Sequence, residues 1–461
     1  MRLAHLAILT VALTLLASVA HAATWTGPAT LSTCAPAIDP AVVFPFSMPS
    51  TRSGRGAILW LGGAPSCGGG NPTPATLDSA TLHSDDQPSV PRAIISGRRI
   101  VGPLETATTT AGQIVAVVGD TGIPSAGLPG ALFGEGFAGG ALHALTPLGG
   151  PAELVATADG YIGDADVAST ITTSGGEQVI LLRAQRHFAT SFAPPVALDE
   201  GFAPITALAV AMDFRADSIV LWAQAGKVHA QWISNVGRVQ LPQVLGPSGY
   251  APQLAAVLSD NNHAFVMWTN EPAPGVGGRT RIYLEHSGDN VVFPSRAHTL
   301  AAFTEPPAQR LTPHSIALVR VTPSEGVLAA WTLLHDGSYV VQAGGLTSTH
   351  VLPTATLEQP GADLRLAALA AGPHNDVVAV LERAPRSAAG FDTTQQAILA
   401  ARTVPGGPGG IAFETPVELA AAGPNIQPSV AIDPANDRAV AVWQTIVGLF
   451  PAVAYAVRGG P

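Results

Sequence analysis

Lysine is almost absent from this 461-residue chain, Lys227 being the only one. Asp and Glu total 32 against 22 Lys and Arg, a formal charge of −10 that becomes −11 if Arg2 leaves with a leader. A chain so poor in positive charge has no electrostatic footprint for nucleic acid or for an anionic membrane surface. After residue 22 no apolar run approaches the roughly 18 residues needed to span a bilayer, so membrane insertion is not expected. Helical periodicity is missing too, and with it the setting for a His-Glu-x-x-His metal site, a string the chain does not contain. No Gly-x-Ser-x-Gly elbow exists, and no Gly-x-Gly-x-x-Gly leads from a strand into a helix. These absences leave no metal or cofactor to expect. Disorder is excluded in turn, because it requires low hydrophobicity and high net charge, whereas 47% of this chain is apolar.

What is present begins with a leader, 1–22. Arg2 supplies a positive start, Leu6 to Ala17 an apolar core, and Ala20-His-Ala22 a small-x-small cleavage site. The chain is therefore expected to be exported, to the periplasm or the medium, with 23–461 as one domain. In an oxidising compartment the two cysteines, Cys34 and Cys67, are expected to form a disulfide.

The 49 Gly and 40 Pro punctuate short apolar runs, which is the signature of an all-β chain. Ile426 to Pro461 reads as three strands: Ser429 to Ile432, an apolar run ending on Trp443 after the turn Asp433–Asp437, and Ala452 to Val457. The apolar run recurs as Ala57–Trp60, Ile114–Val118, Val179–Leu182, Ser218–Trp222, Ala264–Trp268, Val327–Trp331 and Val377–Leu381, at separations of 40 to 64 residues. Units of this size are those of four-stranded propeller blades. Lys227–Trp232, Thr280–Glu285 and Gln396–Ala401 read as third strands, and Phe192–Leu198 and Phe413–Leu419 as fourth strands with a central Pro, which confines them to an edge. Trp25-Thr-Gly-Pro-Ala-Thr-Leu31 belongs to that last class and supplies the strand the final unit lacks. The expected fold is a closed propeller of eight blades, or seven if the Val179 copy is discounted. The anchor tryptophans read as core, whereas Trp25 or Trp232 would suit a sugar-stacking platform better.

These units resemble secreted bacterial β-propeller repeat proteins, whose repeats run P-x-V-A, turn, A-V-A-V-W, then a strand closing on R-x-x-G-G. The match is best over 203–461. The resemblance implies the propeller fold and no particular activity. The chain departs from sialidases in lacking a Ser-x-Asp-x-Gly-x-Thr-Trp box, and it has no Trp-Asp signature.

Candidate chemistry is thin. Asp159-Gly-Tyr-Ile-Gly-Asp-Ala-Asp166 gathers carboxylates but without EF-hand spacing, and reads as a solvated turn. His83 beside Ser84-Asp85-Asp86, and His335-Asp336, pair a ring with acid, but neighbours on a strand point to opposite faces. Arg98-Arg99 reads as a solvated edge, and Gly119 to Gly136 as a Gly/Pro loop. A site is expected on the face carrying the loops between second and third strands, where Asp120, Glu135, Glu271, Arg279, Arg383, Arg386 and Asp392 are placed. The favoured reading is a monomeric exported binding or scaffolding module for an extracellular glycan or protein. The alternative, a glycoside hydrolase or lyase, would require two carboxylates about 5–10 Å apart in the central funnel.

Overall fold

The computed structural model describes residues 24–32, 38–44, 56–62, 76–83, 87–95, 100–108, 114–123, 128–136, 146–149, 152–160, 164–186, 192–259, 263–273, 275–288, 292–294, 297–305, 314–321, 326–346, 354–372, 376–387, 391–405, 411–447 and 450–459. The leader, Cys34, Cys67, Ser84–Asp86 and Arg98-Arg99 lie outside the described residues. Strands are the only regular elements among those residues, and they form eight antiparallel sheets. In chain order the sheets occupy 38–95, 100–149, 155–201, 205–247, 254–304, 316–357, 362–423 and 426–458. Within each of the first seven, strands lie side by side in the order in which they occur. The seventh adds the short Ile411–Phe413, paired to the far end of Gln396–Pro405.

The eighth sheet is completed from the other end of the chain. Its third strand, Phe450–Arg458, pairs with Ala29–Ser32 through Ala29↔Tyr455, Thr30↔Ala454 and Ser32↔Val453. Trp25 bridges Arg458, and the Thr26 N–H donates to the Val457 carbonyl at 2.7 Å. The N-terminal segment read as the missing strand is therefore that strand, over a shorter range than Trp25–Leu31.

In the first sheet and in the fourth to eighth, the second strands are largely apolar on both faces, and both faces are buried. Gly56–Gly62 and Ser218–Gln224 are buried at every position. Trp60, Trp222, Trp268, Trp331 and Trp443 are each at most 1% exposed. All five reach back toward the preceding sheet. Trp222 packs with Ala168, Ile180 and Leu182 of the third sheet, Trp268 with Ile219 and Leu221 of the fourth, and Trp443 with Val378 and Ile398 of the seventh. Trp60, on the first sheet, packs with Val440, Val442 and Tyr455 of the eighth. Room for the indole is made by small residues. A Cβ on Gly246 would stand 2.9 Å from the Trp268 ring, whose Nε1–H donates to the Pro247 carbonyl at 3.1 Å. Trp232 is also buried, at 6% exposure, and is core rather than a sugar platform.

Three sequence expectations are corrected. Val179–Leu182 is not a second strand: it belongs to the third strand of its sheet, Gln178–Gln185. The second strand is Ala165–Thr172, which carries buried Ser169 and Thr170, whereas the more apolar run lies on its neighbour. Gly119 to Gly136 is not a loop. Its described residues lie in two paired strands, Ile114–Ile123 and Leu128–Gly136, in the register Gly119↔Leu132 and Gly122↔Pro129. The Asp159–Asp166 turn is not simply solvated. Asp164 and Asp166 are 1% and 0% exposed, and Asp166 takes both terminal nitrogens of Arg186, at 2.6 and 3.1 Å, and the Ser218 hydroxyl of the next sheet. Burial pushes its carboxyl up, against the pull of Arg186 and Ser218.

Because Trp443 fills the space between the seventh and eighth sheets, Trp443→Ala is expected to cost about 3–5 kcal/mol in chemical denaturation. Trp25→Ala, at a half-buried edge, should cost clearly less. Equal midpoints for Trp443→Ala and the unaltered protein would contradict this packing.

Candidate functional site

With four antiparallel strands per sheet, the second-to-third connections and the links to the next sheet emerge at one end, and the remaining turns at the other. The first end is where the sequence placed a site. Asp120 and Glu135 do not belong to its loops: they lie within strands, Asp120 opposite Ile100 and Ala131, and Glu135 opposite Ala116. Arg279 opens the third strand of the fifth sheet and is exposed. Arg383 lies inside the second strand Val377–Pro385 and is directed outward, donating to Glu418 at 2.6 Å and to Gln359 Oε1 at 3.3 Å. Arg386 follows that strand, 3.9 Å from Asp363. Asp392 caps its own turn, accepting from the Thr394 N–H at 2.9 Å and its hydroxyl at 2.7 Å, which lowers its pKa. Glu271 is in a second-to-third loop, but buried. No hydrogen bond or ion pair among the described residues joins any two of these seven.

At this end three third strands, those of the third, fifth and sixth sheets, begin with polar side chains that hold the link to the following sheet. Gln178 Oε1 accepts the Ile205 N–H at 2.5 Å. The Thr280 hydroxyl donates to Glu305 at 3.1 Å, and Asp363 accepts the Ser338 hydroxyl at 3.1 Å and the Tyr339 N–H at 3.0 Å. Between the fifth and sixth sheets this becomes a buried cluster around His314, which is 0% exposed. Its backbone N–H donates to Glu271 Oε1 at 2.8 Å, its Nε2 meets Glu305 Oε1 at 3.1 Å, and the Tyr339 hydroxyl donates to the same oxygen. Burial alone would lower the imidazole pKa, but the two glutamates overcome this and hold it above the ordinary value. The two carboxylates thus hold a link in place and are closed to a ligand.

The seventh sheet breaks the pattern. Gln396 opens its third strand and is 1% exposed; its backbone carbonyl takes the Asn425 side-chain amide at 2.8 Å, but its Oε1 has no partner. It lines a cleft of about 170 Å³ between the first strands of the seventh and eighth sheets, Ala362–Ala371 and Ile426–Asp433. Arg365 crosses this cleft, donating from Nε to the Ser315 hydroxyl at 3.2 Å and lying 3.5 Å from Glu382. Burial raises the Glu382 pKa, opposed by Arg365 and by the Gln427 backbone N–H. Gln427 has φ 53°, a left-handed conformation that costs a non-glycine residue on the order of 1 kcal/mol or more. It sits in a break of register between Ile426 and Ser429. The twist directs its N–H onto Glu382, and Ala367, Ile426 and Pro428 supply the apolar wall.

None of these lining residues was among the sequence candidates, although a signal existed. Arg365 interrupts the otherwise apolar Leu364 to Ala371, and Glu382 directly follows Val377–Leu381. Arg383 neighbours Glu382 on the same strand, and one position on a strand changes the face. Among the described residues no group of three or more His, Cys, Asp and Glu has metal-binding geometry.

No protein-family model and no curated protein matches the chain. Solved structures do. The Dos1 propeller matches at 8% identity over 95% of this chain and 96% of that one, with a TM-score of 0.50. A polysaccharide lyase of family PL25, an ulvan lyase, matches at 13% identity over 87% and 97%, TM-score 0.45. Oligopeptidase B from Leishmania major matches at 8% over 90% of this chain and 54% of that one, TM-score 0.43. The first likeness shows the fold, a β-propeller.

One buried group outside the cleft makes a pH prediction. Glu285 is 3% exposed, neither carboxylate oxygen has a partner, and burial pushes its pKa to about 7. An acid whose folded pKa is raised binds more protons folded than unfolded, so stability falls as pH rises from about 4.5 to 7. The loss is about 1–3 kcal/mol, the lower figure allowing for water near the group. Glu285→Gln should flatten that part of the denaturation-midpoint profile and leave a protein more stable at pH above 7. An unchanged profile would show that Glu285 stays ionised.

Proposed function

We propose that this chain is an exported, closed eight-bladed propeller that binds an extracellular ligand, rather than transforming one, at the cleft between its seventh and eighth blades. The observation that carries the site is the orphaned Oε1 of Gln396: a buried acceptor without a partner is costly unless a ligand or water completes it. Support for closure comes from Trp60 packing on the eighth sheet, from Ile38–Val43 lying against both neighbours, and from the N-terminal strand paired to Phe450–Arg458. The leader at 1–22, a repeat shared with secreted bacterial propellers, and a surface with one lysine fit a soluble exported monomer that does not bind nucleic acid.

Binding is favoured over hydrolysis because the cleft lining includes a single carboxylate, Glu382, already held by Arg365 and the Gln427 N–H. Glycoside hydrolysis ordinarily needs a pair. Glu271 and Glu305 form a pair in name only, buried on either side of His314.

The test is a glycan and peptide array probed with the full exported protein and with Thr393→Trp, which places a large ring over the cleft from an exposed loop position. Thr393→Trp should abolish the array signal while melting at the same temperature. An array signal indifferent to Thr393→Trp would remove the cleft as the site. Closure is tested separately. Deleting 24–31 should expose the edge of the eighth sheet and produce aggregates in sedimentation, whereas a monodisperse and equally stable truncation would argue for an open array.

A further inference from the structure

Resting on the reading of the cleft as the ligand site, we infer that its ligand is a single neutral saccharide unit, bound through adjacent hydroxyls that donate to Gln396 Oε1 and accept from Arg365. The argument starts from a comparison within the chain. Gln178 and Gln396 both open a third strand at the same end of the molecule. Gln178 Oε1 is satisfied by the N–H at the start of the next first strand, that of Ile205. In the seventh sheet Gln396 Oε1 has no such donor, and the next first strand, opening at Ile426, turns left-handed at Gln427, whose N–H goes to Glu382. The left-handed residue Gln427 and Gln396, whose buried Oε1 has no partner, thus line the same cleft. An acceptor in that state asks for a donor from outside the protein.

The rest of the lining narrows which donor. Arg365 uses Nε on Ser315 and Nη1 toward Glu382, so its other terminal nitrogen is left to donate. The Arg365 and Glu382 charges cancel. An anionic ligand would gain Arg365 but face Glu382, and a cationic one would gain Glu382 but face Arg365. A hydroxyl both donates and accepts, so neighbouring hydroxyls on one ring satisfy Gln396 and Arg365 together. A peptide amide also offers one donor and one acceptor. It has nothing further for the hydroxyls of Ser315 and Thr393, which a polyhydroxylated ring does. Ala367, Ile426 and Pro428 form an apolar side suited to the C–H face of such a ring. The volume, about 170 Å³, is below the roughly 300–1,000 Å³ of sites for drug-sized ligands, and suits one ring rather than several.

The experiment uses the full exported protein and ligand-observed NMR, with three kinds of probe at millimolar concentration: neutral monosaccharides, uronates, and an N-acetyl amino-acid methylamide. Saturation transfer to at least one neutral monosaccharide is expected, weakened tenfold or more in Gln396→Met. That change removes the acceptor at similar size and breaks no internal side-chain hydrogen bond, and unchanged melting would confirm an intact fold. Binding of uronates alone, or of the methylamide alone, would overturn the saccharide assignment. So would the absence of any neutral-sugar signal at tens of millimolar. If such non-sugar binding is lost in Thr393→Trp, the cleft stands as the site and only the ligand class fails. A neutral-sugar signal unaffected by both Gln396→Met and Thr393→Trp would overturn the inference and the site together.

Discussion

A sheet that is apolar on both faces cannot be stable at a surface, and this constraint governs the whole molecule. The second strands place buried side chains alternately toward the sheet before and the sheet after, so every sheet needs two neighbours. The large anchors always reach backward. Trp222, Trp268, Trp331 and Trp443 each fill the space behind their own sheet, and Leu381 does so in the seventh, beside Leu364 and Leu366. A stack built this way has an uncovered face at one end and an unfilled anchor at the other. Trp60, of the first sheet, packs against Val440, Val442 and Tyr455 of the eighth.

Burying apolar surface between sheets leaves polar links at their ends, and these are resolved by charge and hydrogen bonding. At one end Asp376 takes Arg402 of its own sheet and Arg458 of the next, while Arg438 reaches the His83 carbonyl at 2.9 Å and lies over the Phe44 ring. At the other end Gln178, Glu305 and Asp363 hold the links. Buried ion pairs contribute little net stability, because desolvation offsets much of their attraction, but removing one partner is costly. Their effect here is to set how neighbouring sheets are registered. Around His314 the link is held by Glu271, Glu305 and Tyr339. Gln396, whose Oε1 has no partner, lines a cleft.

That contrast explains why the candidate site lies where it does and not on exposed charge. Arg383 and Asp392 are engaged locally, on the outer strand and within a turn. Arg365 and Glu382 face inward from strands, each engaged by the other and by a hydroxyl or backbone partner. A functional group in this architecture is thus marked by an interrupted apolar run more than by a polar loop.

The sequence by itself determined the strand content, the size of the unit and the pairing of the chain's two ends. Each follows from short-range patterning: apolar runs of strand length, turn residues at Asp433–Asp437, and a last unit one strand short. It could not assign strand rank in the third sheet, because burial there is shared between Ser169, bonded by Arg183 at 3.2 Å, and the apolar Ile180 and Leu182. Nor could it separate loop from strand at Gly119 to Gly136, where pairing partners decide what Gly and Pro tolerate. The site was the least legible of all. Which of Glu382 and Arg383 faces the cleft depends on a strand's phase relative to a neighbouring sheet. Whether Gln396 is satisfied depends on a left-handed residue in the next sheet, at Gln427. Both are relations between segments some thirty or more residues apart, and only the packed tertiary structure decides them.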